Sequence, residues 1–167
     1  MSISITLENI DNILKEQGPI AIIDHLWWSV DIYNDYQTYQ NDLAQFTPEQ
    51  CNVFAMEWYF AEVYNGGHYQ FWTNSTGIVW KEALAGFKMI GFTAGIEIME
   101  KSQHIFGEDI PFDREQREHI LDQLGEENSD LFAELESLFS KNEHLYEELV
   151  NQFIRNHKEK FIFTTET

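Results

Sequence analysis

The chain is predicted to be all-α: a single compact domain of about seven to nine helices spanning residues 1–167. Three observations predict it. Apolar residues recur at helical spacing along most of the sequence, no convincing run alternates with the period of a strand, and helix start and stop residues bracket the apolar runs. With 43% hydrophobic and 15% aromatic residues in 167, one substantial core can form, and no low-complexity linker or internal repeat divides it.

The first helix is expected over Leu7 to Gln17, stopped by Gly18-Pro19. A second starts at Pro19, where the missing N–H would be unpaired anyway, and buries Ile22, Ile23, Leu26, Trp27, Val30 and Tyr33. Thr47-Pro48-Glu49-Gln50 combines an N-cap, a first-turn proline and a capping-box glutamine, starting a helix through Val53, Met56, Tyr59, Phe60 and Val63. Asn65-Gly66-Gly67 should end it, followed by a short aromatic segment from His68 to Thr73. The turn Asn74-Ser75-Thr76-Gly77 then leads into a helix of about Ile78 to Ile90, and another runs from Thr93 to Phe106, with Gly91 and Gly107 as C-caps. Three further amphipathic helices are expected near Asp113 to Leu124, Ser129 to Ser140 and Glu143 to Phe161.

Charge sets the function classes. There are 29 Asp and Glu against 10 Lys and Arg, a net charge of −19, and from Glu16 to Trp80 eight acids stand with no Lys or Arg. Solubility needs a net charge of only about 2 to 8, and a larger excess self-repels, so a basic partner is the expected reason for it. Direct binding to nucleic acid or to an anionic membrane is excluded by repulsion. The aromatic content separates the chain from acidic disordered tails. The single cysteine, Cys51, leaves no intramolecular disulfide, and MSISITLENID has neither a basic nor an apolar leader region, so a cytoplasmic protein is expected. Ala83 to Ile96, broken by Lys88, is too short to span a membrane.

Two acidic clusters are candidate partner-binding surfaces that imitate phosphates. If the second helix continues to residue 42, then Asp24, Asp31, Asp35 and Asp42, spaced 7, 4 and 7, stay within roughly 40° of one another along about 27 Å. The second cluster is Glu126, Glu127, Asp130, Glu134, Glu143 and Glu147, opposite apolar positions such as Leu135 and Leu149. Acids four apart on a helix are separated by about 6 Å along its axis, the same order as successive DNA phosphates. Solvated helix faces are the plain alternative reading of the same residues.

No catalytic, cofactor or metal motif stands out. None of His25, His68, His104, His119, His144 and His157 follows a Glu by three positions, H-E-x-x-H is absent, and no calcium loop, P-loop, G-x-S-x-G or G-x-G-x-x-G occurs. Glu100 with His104 and Glu115 with His119 read as salt bridges or caps rather than metal ligands. Cys51 reads as a buried, inert thiol, and Gly91-x-x-x-Gly95 as a place where helices pack closely. No cofactor, metal or enzymatic activity is therefore predicted.

The most distinctive string is Tyr64 to Gly77, YNGGHYQFWTNSTG. Gly66 and Gly67 allow the chain to leave a helix through positive φ, Gln70 can bond loop backbone, Phe71 and Trp72 anchor the segment, and His68 is its one acid or base, without an evident partner. Asn65, Gly66, Gly67, Gln70, Phe71, Trp72, Asn74, Ser75 and Gly77, followed by Glu82-Ala83-Leu84 and Ile90-Gly91, resemble the signature of the DNA mimic protein 19 family over residues 47–106. Tyr64 stands where that signature has Asn, and His68 where it has an aromatic. The resemblance implies an acidic all-helical homodimer that occupies the DNA-binding surface of a helix-turn-helix transcription regulator. An immunity or antitoxin protein capping a basic nuclease is the alternative. An enzyme or ligand binder built around His68 is the third.

Overall fold

Thr47 starts the element around which the others are arranged. Its hydroxyl accepts the Gln50 backbone N–H at 3.2 Å while the Gln50 side chain accepts the Thr47 N–H at 3.0 Å, forming the expected capping box. From this cap runs α5, Pro48–Thr73, in a computed structural model that describes residues 3–107, 109–124 and 129–165. Val53, Phe54, Ala55, Met56, Tyr59 and Phe60 are all buried, so the helix is apolar on most of its circumference and serves as the centre of the core.

Before it come α1 (Ile10–Gln17), α2 (Pro19–Ile22), α3 (Asp24–Ser29) and α4 (Tyr36–Leu43). After it come α6 (Trp80–Ile90), α7 (Thr93–Phe106), α8 (Arg114–Leu124), α9 (Ser129–Asn142) and α10 (Tyr146–Asn156). α5 packs against α2, α3, α6, α8 and α9, and one continuous apolar cluster runs through the domain. The fold is all-α, as predicted. The one departure among the described residues is an antiparallel bridge in which Ile5 and Phe163 exchange backbone hydrogen bonds of 2.7 and 3.0 Å. No described helix is long and apolar enough to cross a membrane.

The second helix differs most from expectation. It is interrupted at Ile23, stops after Ser29, and passes through extended backbone at Val30. Asp31 accounts for the break: its carboxylate accepts the backbone N–H groups of Tyr33 at 2.7 Å and Asn34 at 3.3 Å, a local turn that competes with helix. Asp35 then N-caps α4 by accepting the Thr38 N–H at 2.9 Å. At the amino end, Thr6 and Asn9 bond each other's backbone and delay α1 to Ile10. The expected helix from Glu143 to Phe161 is divided into 3-10 turns at Glu143–Leu145 and Lys158–Lys160 flanking α10, the second turn driving Phe161 into the core.

Gly66 and Gly67 end the first helical part of α5, as expected: both have non-helical backbone, and a second short helix follows the kink. Gly67 has φ +76°, the left-handed region that favours glycine, and the helix resumes from His68 to Thr73 because Phe71 and Trp72 reach full burial only on a new axis. Gly91 ends α6 in the left-handed conformation, φ 75° and ψ 28°, and α7 has the predicted bounds.

Candidate partner-binding surface

The signature segment builds scaffold. Gln70 Nε2 and Asn74 Nδ2 each donate to Glu62 Oε1 at 2.6 Å, so Gln70 serves a carboxylate and not the loop backbone expected from sequence. Glu82, in the Glu82-Ala83-Leu84 part of the signature, accepts the Tyr39 hydroxyl at 3.0 Å and joins α6 to α4. Asn65 is exposed, whereas Phe71 and Trp72 are fully buried. Gly95 lies where a Cβ would come within 2.6 Å of the Phe87 ring, in keeping with close packing.

Arg117 explains Gly77. Its guanidinium, fully buried, donates to the carbonyls of Trp72, Asn74, Phe112 and Pro111 at 2.8, 2.8, 2.6 and 3.0 Å, and a Cβ on Gly77 would lie 2.7 Å from it. A cation at these carbonyls satisfies the C-terminal end of α5 and opposes its dipole. Burial lowers its pKa to about 10, so it remains charged at neutral pH. Arg114 adds a bond to the Thr73 carbonyl at 2.8 Å.

His68 has partners that local sequence does not reveal. Its Nε2 lies 2.7 Å from the Tyr59 hydroxyl, and its backbone N–H and Nδ1 lie 2.6 and 2.9 Å from Glu136 Oε1 on α9. These bonds hold the Glu136 carboxyl below its usual range against the opposing effect of burial. His68 and Tyr59 are fully buried and the Glu136 side chain is 40% exposed, so the group ties α5 to α9 with the His68 ring closed off from solvent. Cys51 is buried too, its thiol pushed up to about 12 by burial and then by Glu82.

The first acidic cluster does not form a stripe on one helix. Asp24 opens α3, Asp35 caps α4, and Asp42 accepts the Asp31 N–H at 2.9 Å across the turn between them. Asp35 is exposed while Asp24, Asp31 and Asp42 are half-buried, and the backbone bonds to Asp31 and Asp35 hold those carboxyls low. In the second cluster, Asp130 and Glu134 are exposed on α9, and Lys101 reaches Glu134 at 2.8 Å. Glu126 and Glu127 lie outside the described residues. Further exposed carboxylates stand on or just before α8, at Asp113, Glu115 and Asp122, and His119 meets Gln123 at 3.0 Å rather than Glu115.

Glu143 and Glu147 converge elsewhere, on a groove of about 360 Å³ bounded by α2, α5 and the start of α10. Glu57 lines it with them, accepting the Tyr146 hydroxyl at 2.7 Å, and burial followed by the charge of Glu147 raises its pKa. Sequence reasoning missed Glu57, which reads as one polar position inside an apolar helix between Met56 and Trp58. The available signal was its lack of any basic neighbour at helical spacing.

Among the described residues the cations in ion pairs with carboxylates are Lys101, Arg114, Lys158 and Lys160, apart from the His68–Glu136 contact. Among the described residues most carboxylates are therefore in no ion pair, and many of these are exposed. A family model described as DMP19-like protein matches residues 44–157, extending well past the 47–106 signature segment. No curated protein and no solved structure gives a significant match.

Proposed function

Because this chain belongs to the DMP19-like protein family, we propose that it is a non-enzymatic DNA mimic whose carboxylates replace phosphates on the surface of a basic DNA-binding protein. A helix-turn-helix transcription regulator is the partner class, and occupation of its Lys/Arg surface blocks operator binding. The observation that carries this reading is the set of exposed carboxylates on α8 and α9, with few internal cations to neutralise them. These acids project from packed helices, so little ordering is lost on binding and electrostatic steering accelerates encounter. The burial of His68 and Trp72 favours the mimic over a catalytic site in the aromatic segment.

The test is capture on immobilised protein from native lysate, elution by a salt gradient, identification by mass spectrometry and competition with DNA. A DNA-binding regulator released by its own operator, with affinity that falls steeply as salt rises, is the expected result. Charge reversal of the exposed acids should abolish capture without changing the helical circular-dichroism signal. Unchanged affinity after reversal on every acidic face overturns the proposal, and recovery of a nuclease whose activity is quenched supports the immunity reading in its place.

A further inference from the structure

The groove holding Glu57 combines apolar walls with three carboxylates and no Lys or Arg. Ile20, Phe60 and Tyr64 form much of its lining, and the Phe60 ring is fixed by stacking on Tyr146 at 3.9 Å between centroids. Tyr64 is 64% exposed and Ile20 40%, so the wall is open to a visitor. The carboxylates are Glu57 towards the interior and Glu143 and Glu147 at the rim, and none of the three is in an ion pair with a described residue. The Tyr146 hydroxyl is the only described hydrogen-bond donor to Glu57. His144 is the one lining side chain that can become cationic; no Lys or Arg lines the groove.

Among the described residues, the other cavities near acids are lined by cations as well. The one of about 420 Å³ between the 32–36 turn and α8 is lined by Arg114 and Arg117 beside Asp35, Asp113 and Glu115, and the one at Glu134 is lined by Lys101. Charge complementarity thus favours the Glu57 groove, which among these described cavities is the one without Lys or Arg.

We propose that this groove is the socket for one arginine side chain of the basic partner, its stem against Ile20, Phe60 and Tyr64 and its guanidinium between Glu57 and the Glu143/Glu147 rim. The inference rests on the mimic reading and names the contact that anchors it. Arginine suits the space because its methylene stem packs on apolar surface while its planar head bonds carboxylates in pairs and lies against aromatic faces. Arginines seated in desolvated pockets are also the side chains that dominate interface energies. A half-buried carboxylate with one neutral donor and no cation is partly desolvated, so the arriving guanidinium also offsets a cost present in the free protein.

The experiment is a ¹H–¹⁵N NMR titration of the full chain with the capped peptide Ac-Ala-Leu-Arg-Leu-Ala-NH2, set against the same peptide with uncharged citrulline at the arginine. Saturable shifts at the amides of Ala61, Tyr64 and Glu147 are expected, weakened about tenfold or more by citrulline and equally by Glu57→Gln. Glu57→Gln keeps an acceptor for Tyr146, and an unchanged thermal melt confirms that it folds. Shifts centred on α8, equal response to both peptides, or full binding by Glu57→Gln overturns the socket. So do concentration-dependent shifts at these amides without peptide, which would assign the groove to a second copy of the chain. Capture of the DNA-binding partner by Glu143→Lys/Glu147→Lys would discard the socket and leave mimicry standing, whereas failure of every acidic face to matter discards both.

Discussion

Glu57 and Glu62 are neighbouring acids on α5, both half-buried, and they have opposite fates. Glu62 is closed by the amides of Gln70 and Asn74 at 2.6 Å each, all three within the chain's own scaffold. Glu57 is met by one tyrosine hydroxyl and otherwise faces an open groove. Two residues of the same type on one helix thus divide into a structural brace and an unfilled acceptor. In so acidic a chain, the number of carboxylates is a poor guide to function, and the bonding capacity each has left after folding is a better one. The contrast extends to other acids: signature residues spend their polar groups internally, whereas exposed acids such as Glu115 and Asp122 on α8 and Asp130 on α9 are in no ion pair with a described residue.

The comparison breaks if scaffold substitutions leave stability intact or groove substitutions reduce it. The largest effect is expected at Arg117. Arg117→Met strips four carbonyls of their donor and should cost about 3–5 kcal/mol in urea unfolding, with Arg117→Lys recovering only part because an ammonium lacks the guanidinium fork. Next is Gly67→Ala, which puts a Cβ at φ +76° and 2.6 Å from Glu136 Oε1; a loss of about 2 kcal/mol is expected in the same measurement. Glu62→Ala leaves two half-buried amides without their acceptor and should cost about 1–2 kcal/mol, a reversal of the mimic's partner affinity not being expected.

The smallest effect, and the sharpest discriminator, belongs to Glu57→Gln. Stability at neutral pH should change by less than about 0.5 kcal/mol, or rise. Burial raises the folded-state pKa of Glu57 above its unfolded value, so its ionised form is a penalty above that raised pKa, relieved as pH falls through it towards the unfolded value. Any advantage of the glutamine variant should therefore shrink on acidification in paired melts. A large stability loss at every pH would make Glu57 a second brace and erase its difference from Glu62.

Local chemistry made much of the fold legible. The Thr47/Gln50 capping box, the first-turn Pro48 and the glycine stop at Gly91 each act within a few residues, and each appears where the sequence puts it. Asp31 was misread because its helical spacing to Asp24 and Asp35 is compatible with a stripe, while its short side chain prefers to bond the backbone ahead of it. The Gly66-Gly67 break was legible but the resumed helix was not, since the burial of Phe71 and Trp72 that pays for it is tertiary. Of the candidate site, Glu143 and Glu147 could be named from their helical face, yet their meeting with Glu57 depends on how α10 packs on α1, α2 and α6 and brings Tyr146 to Glu57 and Phe60 of α5. Glu136 lies 68 positions from His68, and Trp72 and Asn74 lie 45 and 43 positions from Arg117, beyond the reach of any periodicity.

The pairing of Ile5 with Phe163 makes the backbone nearly a closed ring. A short flexible splice from Phe163 to Ile5 would complete that ring with little distortion, and the polypeptide could then be reopened at an exposed turn on another side. Such a circular permutant would let surface tethers and fluorophores be repositioned around the acidic faces while every helix keeps its neighbours.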